Sequence, residues 1–271
     1  MSQSHHRSDQ SSIEVVQLTD AHLFGDPQGA MLGLNTRDSL RHVVAQVRRE
    51  RPRVDLLLCT GDLSQDGSVA AYEAFRDLTA TCGTRARWLP GNHDDRRVMA
   101  QLAGSDELLQ QVTDIGAWRI VMLDSTVRGA AHGWLDEAQL ALLDQALDGA
   151  GGRHCLVCLH HQPVDIGCAW MAPIGLRNAD SLFQCLRAHP QVRALLWGHV
   201  HQAWDQLDGT RRLLASPSTC IQFAACSEDF QVSEEHPGYR WLRLHADGGL
   251  ETGIERAHDF IVKLDFDSPG Y

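Results

Sequence analysis

Asp55-Leu-Leu-Leu-Cys-Thr-Gly-Asp62 is a short apolar run that passes, with no polar spacer, into glycine and aspartate. Such a run reads as a strand covered on both faces, because a strand buried on both sides has no polar alternation to show. The aspartate then stands at the carboxyl end of the strand, and in an open α/β sheet that end lines the crevice where ligands bind. Four other runs repeat the arrangement. Residues 13–19 lead into Asp20-Ala-His22, and residues 87–90 into Gly91-Asn-His-Asp94. Residues 154–159 lead into His160-His161, and residues 194–197 into Gly198-His-Val-His201. Each piece alone is an ordinary turn or a core histidine. Five in chain order, each at a strand end, point to one shared site. Gly61, Gly91 and Gly198 stand just before ligand-type residues, where a side chain would crowd the turn.

Between these strands the period changes. Residues 36–51 carry Leu40, Val43, Val44 and Val47 at i, i+3, i+4 and i+7, with Pro52 beyond, which predicts an amphipathic helix. Ser68 caps a helix predicted to about residue 81. Asp136-Glu-Ala-Gln139 opens another, through residue 147, in the manner of a capping box. Further strands are predicted at 118–123, 211–215 and 239–245. Strand–helix alternation followed by a strand-rich end predicts an α/β sandwich with mixed sheets. The expected layout is one domain over residues 13–271 behind a disordered polar tail, residues 1–12. His5 and His6 are expected to be solvated there.

Composition narrows the function. Hydrophobic residues are 43% and charged residues 22% of 271, values of an ordinary folded chain. No apolar run approaches the ~20 residues of a membrane span, and residues 1–12 hold no apolar segment of a secretory signal. No membrane partner and a cytoplasmic location are therefore expected. A net charge of −11 disfavours nucleic acid as a partner, since a surface that tracks phosphates is basic. Lys263, the one lysine, follows Val262, so there is no P-loop, and no G-x-S-x-G elbow occurs. The eight cysteines read as reduced, mostly buried thiols. Cys155 and Cys158 form a C-x-x-C inside an apolar run, where strand packing is the expected role.

The series Asp-x-His, Gly-Asp, Gly-Asn-His, His and Gly-His-x-His resembles the calcineurin-like metallophosphoesterases, over nearly the whole chain from Ile13. Finer stretches resemble the bacterial class III cyclic-AMP phosphodiesterases: Asp20-Ala-His-Leu-Phe24, Gly61-Asp-Leu-Ser-Gln-Asp66, Trp88-Leu-Pro-Gly-Asn-His-Asp94, Leu176-Arg-Asn-Ala179 and Ser216-Pro-Ser-Thr-Cys-Ile-Gln-Phe223. The resemblance implies a four-layer αββα sandwich of two mixed β-sheets flanked by helices. It implies two metal ions per chain, Fe and/or Mn with Zn as the alternative. Asp20, His22, Asp62 and His201 would hold one ion. Asp62, Asn92, His160 and His199 would hold the other, with Asp62 bridging. His22, Asp62, Asn92, His93 and His201 would also meet the substrate. The donor chemistry agrees: three carboxylate or amide groups and four imidazoles, with no thiolate, are too many for one ion and suit two. His160 directly follows its strand. His161 is expected to point to the opposite side, into the core or the outer shell of ligands.

The chemistry expected is hydrolysis of 3′,5′-cyclic AMP to 5′-AMP by a hydroxide that bridges the ions, which would regulate cyclic-nucleotide signalling. His93 follows a ligand without being one and is expected to be the general acid. Many members of the superfamily carry an acidic residue three positions after the bridging aspartate, paired to the catalytic histidine. Gln65 stands there instead, so Asp66 and Asp94 are both open as its carboxylate. Trp170 could stack on a base or simply pack. Arg177 could contact phosphate or ribose. Asn178 could cap the helix begun at Ala179. One alternative is another small phosphodiester, such as a glycerophosphodiester, or a phosphomonoester. A second is a metal-loaded interaction module without turnover. The chain is expected to be a monomer or homodimer.

Overall fold

The computed structural model describes residues 12–105 and 107–265. The expected tail lies outside the described residues except for Ser12.

Two mixed sheets carry the fold. The first is built from β1 (Ile13–Leu18), β4 (Leu56–Thr60) and β5 (Ala86–Leu89) in parallel, extended by antiparallel β14 (Gly238–Leu244) and β15 (Leu250–Arg256), in the order β15-β14-β1-β4-β5. A short ribbon, β2 (Ala30–Met31) with β3 (Leu34–Asn35), lies between β1 and β4 in the chain. The second sheet comprises β6 (Val112–Ile115), β7 (Trp118–Met122), β8 (His154–Leu159), β9 (Val192–Trp197), β10 (Trp204–Asp208) and β11 (Arg211–Ala215). Its order is β10-β11-β9-β8-β7-β6, with β7, β8, β9 and β11 parallel. A second ribbon pairs β12 (Gln222–Phe223) with β13 (Val232–Ser233).

Period-two alternation sorts the strand residues into layers. Val15, Leu56 and Leu58 of the first sheet meet Ile120, Met122, Leu156, Leu196 and Leu214 of the second in a core between the sheets. Their neighbours Val16, Leu57 and Cys59 face outward, onto helices α1 (Thr36–Glu50), α2 (Val69–Ala80) and α3 (Arg96–Ala103). Leu40, Val43, Val44 and Val47 of α1 are all buried there, the stripe the spacing predicts. On the other side Val121, Val157 and Leu195 face α4 (Glu137–Asp148) and α5 (Ala179–Arg187). The result is the expected four-layer αββα sandwich. Helix starts follow local chemistry. The Ser68 side chain accepts from Ala71 N, and Asp136 accepts from Gln139 N at 2.9 Å. The capping box is only half made, because the Gln139 amide oxygen accepts from Asp124 N instead. Among the described residues no helix is long and apolar enough to cross a membrane.

Candidate metal centre

The parallel strands β1, β4 and β5 of one sheet and β8 and β9 of the other deliver all five predicted segments to one point. Asp20, His22, Asp62, His160 and His201 are fully buried, and His199 is 1% exposed. Asp62 lies between two groups. On one side its Oδ2 is 3.7 Å from His22 Nε2. His22 Nε2 is 3.2 Å from His201 Nε2, and His201 Nε2 is 3.5 Å from Asp20 Oδ1. On the other side Asp62 Oδ2 is 3.2 Å from His160 Nε2, itself 3.2 Å from Asn92 Oδ1. The backbone fixes both carboxylates. His93 N donates to Asp62 Oδ1 at 2.8 Å, and His199 N donates to both Asp20 oxygens at 3.0 and 3.1 Å.

The turns that achieve this are strained. Seven described non-glycine residues have positive φ, and five of them are Asp20, His22, Asp62, His199 and His201. Left-handed backbone away from glycine is uncommon and clusters where function requires it. The glycines before them admit close approach. A Cβ on Gly61 would lie 2.7 Å from Gly91 N, and one on Gly198 would lie 2.8 Å from Asp20 Oδ2.

Three imidazoles are oriented through Nδ1, which leaves Nε2 facing the centre. His160 Nδ1 donates to Thr60 O at 2.8 Å, His201 Nδ1 to Ile221 O at 2.9 Å, and His22 Nδ1 to Gln65 Oε1 at 2.5 Å. Sequence reasoning missed the last of these, because Gln65 had been judged only as a missing acid. Phe223, stacked on the His201 ring at 4.0 Å and 4°, was also missed. It closes the Ser216–Phe223 stretch that carries the family resemblance, but the stretch assigns it no role, because it reaches the site from 22 positions away through the fold. If Gln65 holds the His22 tautomer, Gln65→Leu should weaken metal binding by about 10–100-fold, as loss of an outer-shell partner does. Metal titration of both proteins at equal pH would show it; unchanged affinity would reject the role.

Burial opposes every charge in the centre, and the neighbours decide the outcome. Burial raises the Asp62 carboxyl, but His160, His93 and His22 together hold it well below its ordinary value. Burial raises Asp20 as well, but His201 and His160 together lower it. Burial pulls His160 down, yet the adjacent Asp62 charge carries it up to about 9. Burial and its histidine neighbours hold His199 well below the usual imidazole range, and burial lowers His22 to about 3. No hydrogen bond reaches Asp62 Oδ2 or either ring nitrogen of His199, although all are buried. Buried polar atoms without partners are costly, and cations would accept these lone pairs. The donors of Asp20, His22 and His201 lie within 4.8 Å of one another, as do those of Asp20, Asp62 and His160. The residues therefore fit a pair of divalent ions.

His161 corrects an expectation. It does not point away from the centre: its ring lies 4.9 Å from His160 and 4.8 Å from His199. β8 ends at Leu159, so the alternation of an extended chain no longer applies at residues 160 and 161. Its Nδ1 meets Ser125 Oγ at 2.8 Å. Asp94 and Asp66 are both committed to the chain. Asp94 accepts from Gly91 N, Ser64 N and the Tyr72 hydroxyl at 2.9–3.1 Å, and burial beside Asp62 pushes it up to about 7. Asp66 accepts from Gly25 N and Ser68 N at 2.8 and 3.0 Å. Asn178 precedes α5 without a side-chain cap. Its amide bonds both N and O of Leu135 instead, at 2.9 and 2.7 Å. Trp170 packs edge-on against Phe223 and Phe230 at 5.1 and 5.2 Å, with Nε1 donating to Ser227 Oγ at 3.1 Å. Arg177 reaches Pro173 O at 3.4 Å. Beside the buried donors opens a cleft of about 560 Å³ lined by Gln65, Asn92, His93, Arg96, Arg97 and Arg128.

Comparison with known proteins places this geometry. The family model of calcineurin-like phosphoesterases matches residues 13–203. The 3′,5′-cyclic adenosine monophosphate phosphodiesterase CpdA of Pseudomonas aeruginosa is 52% identical over 261 residues, 96% of each chain. The protein of the same name from Escherichia coli (strain K12) is 42% identical over 265 residues, 97% of this chain and 96% of its own. Among solved structures, a dimetal phosphatase from Danio rerio shares the fold, with TM-score 0.61 and 18% identity over 90% of this chain and 99% of its own.

Proposed function

The chain belongs to the calcineurin-like phosphoesterase family, and from that premise we propose that it is a metal-dependent phosphodiesterase hydrolysing 3′,5′-cyclic AMP to 5′-AMP. The observation that carries this is the buried cage of Asp and His donors around Asp62, on a chain 52% identical to a cyclic-AMP phosphodiesterase over almost its full length. Asp20, His22, Asp62 and His201 would hold one ion; Asp62, Asn92, His160 and His199 would hold the other. The short distances from Asp62 Oδ2 to His160 and His22 support Asp62 as the bridge. Oxygen and nitrogen donors without thiolate suit Mn²⁺ or Fe, with Zn²⁺ as an alternative.

Two cations held in the cage would supply Lewis-acid charge to the phosphoryl oxygens and would make a bound water acidic enough to act as nucleophile. The chain does the rest. Thr60 O, Ile221 O and Gln65 Oε1 keep the Nε2 atoms of His160, His201 and His22 turned inward. Asn92 and His93 line the open cleft and would meet the substrate there, while the buried His22, Asp62 and His201 would meet it from the floor of the centre. His93 gives its proton to the departing 3′-oxygen, an alkoxide too basic to leave unaided. Its backbone N–H on Asp62 ties the acid to the bridge. The eight unpaired cysteines suit a reducing compartment, and we place the enzyme in the cytoplasm.

A substrate panel on Mn²⁺-loaded protein tests the reading: cyclic AMP, cyclic GMP, a glycerophosphodiester and a phosphomonoester. Cyclic AMP should give the highest kcat/KM. Preference for the glycerophosphodiester or the monoester would replace the proposed substrate while leaving the metal centre in place.

A further inference from the structure

A second group of metal-type donors converges on the far side of the six-stranded sheet. Helices α4 and α5 pack there, with Leu143, Leu147, Leu182 and Leu186 in the core beneath them. Asp144 stands on α4, Cys185 on α5, and His189 one turn beyond Cys185, buried to 6% exposure. Asp144 Oδ1 lies 3.0 Å from His189 Nε2 and 3.8 Å from Cys185 Sγ. The three donor atoms all lie within 4.8 Å of one another. His189 lies just past the end of α5, four residues beyond Cys185, so the turn that closes the helix brings it back beside the thiol.

His189 Nε2 and the Cys185 thiol both converge on Asp144 Oδ1, so three metal-type donors share one point. No arginine or lysine pairs with Asp144 or Asp148 among the described residues. Burial, then the charges of Asp144 and Asp148, push the Cys185 thiol up to about 11. The cluster thus holds its thiol protonated beside the Asp144 carboxylate that His189 also meets.

We propose that Asp144, Cys185 and His189 bind one divalent ion of the zinc class, with the fourth position open to water, separately from the dinuclear centre. Zinc sits about 2.0–2.3 Å from N, O and S donors, so the edges of its tetrahedron measure about 3.3–3.8 Å. The observed 3.0 and 3.8 Å lie within a few tenths of an ångström of these edges, and the His189–Cys185 pair, within 4.8 Å, closes to the same length. Binding releases the Cys185 thiol proton to solvent. The His189 Nε2 proton passes through solvent to Nδ1, 3.4 Å from the Gln191 amide, whose oxygen turns to accept it. A thiolate in the set favours Zn²⁺ and Co²⁺ over Mg²⁺ or Mn²⁺. The ion would tie α4 to α5.

Co²⁺ is the probe, because thiolate-to-cobalt charge transfer absorbs in the near ultraviolet and the dinuclear donors include no thiolate. Titrated into the enzyme as purified, Co²⁺ should raise that band to saturation at one equivalent per chain. Cys185→Ser should abolish the band and leave cyclic-AMP hydrolysis at the wild-type rate. Asp144→Ala, at an exposed helix position, should weaken the Co²⁺ affinity at least tenfold. Zn²⁺ should raise the melting temperature of the wild type but not of Cys185→Ser, since an ion bound only to the folded chain stabilises it. Absence of the band overturns the proposal, as does a band that survives in Cys185→Ser. Unchanged affinity in Asp144→Ala also overturns it, because the thiol would then be acting alone.

Discussion

Asp62→Ala should leave no measurable turnover and bind well under two metal ions per chain. Asp62 is fully buried between two sets of imidazoles, with Oδ2 3.2 Å from His160 Nε2 and 3.7 Å from His22 Nε2. Because it is the proposed bridge, its removal would take a ligand from both ions at once. The loss should therefore exceed the ~10–100-fold cost of an outer-shell partner. Alanine also opens a space and frees the His93 amide that Asp62 Oδ1 accepts. Asp62→Asn controls for this: it keeps the volume and an amide oxygen for His93 N but removes the charge. It should fold with a melting temperature close to that of metal-free wild type and still bind fewer than two ions. Metal analysis, circular dichroism and cyclic-AMP hydrolysis on both variants decide the matter. Two ions and normal turnover in either variant would remove Asp62 from the bridging position.

His93→Ala should lower cyclic-AMP hydrolysis by ~10²–10⁴-fold, the usual contribution of a general acid. The same protein should lose far less on an aryl phosphodiester, because a nitrophenolate leaves without a proton. The difference between the two substrates is the evidence, not the loss on either one. His93 lies where such a role requires, half-buried on the cleft wall, with its ring 5.0 Å from His22. Both rates must be taken at equal metal content, which should match wild type. Equal losses on the two substrates with metals intact would make His93 a binder of the phosphoryl group. Loss of metal would make it a ligand, a position its closeness to His22 and Asp62 permits.

The order of the strand-end segments was legible because it depends on local rules. An apolar run followed by Gly-Asp or Gly-His-x-His shows a buried strand and its exit turn without reference to any partner. The glycines were legible for the same reason: Gly61, Gly91 and Gly198 fill close approaches that leave no room for a side chain. The helix stripe of Leu40, Val43, Val44 and Val47 followed from period alone. His161 was misplaced because the alternation of an extended chain was carried one residue past Leu159, where β8 stops. Asn178 was misread because a residue at a helix start can bond a distant backbone as well as cap, and Leu135 is 43 positions away.

The amino-acid sequence by itself determined which residue types stand at the ends of the strands, where the turns need glycine, and which helix faces are apolar. These properties are set within a few residues by sterics and hydrophobic period. Only the tertiary structure decided how the donors are aimed. Gln65 on His22, Thr60 on His160, and Ile221 and Phe223 on His201 act between segments as much as 100 positions apart. The same holds for the approach of Asp144 to Cys185 and His189 across two helices. Hydrogen bonds and ring contacts depend on distances of a few ångströms, and between remote segments those distances exist only once both sheets and their helices have packed.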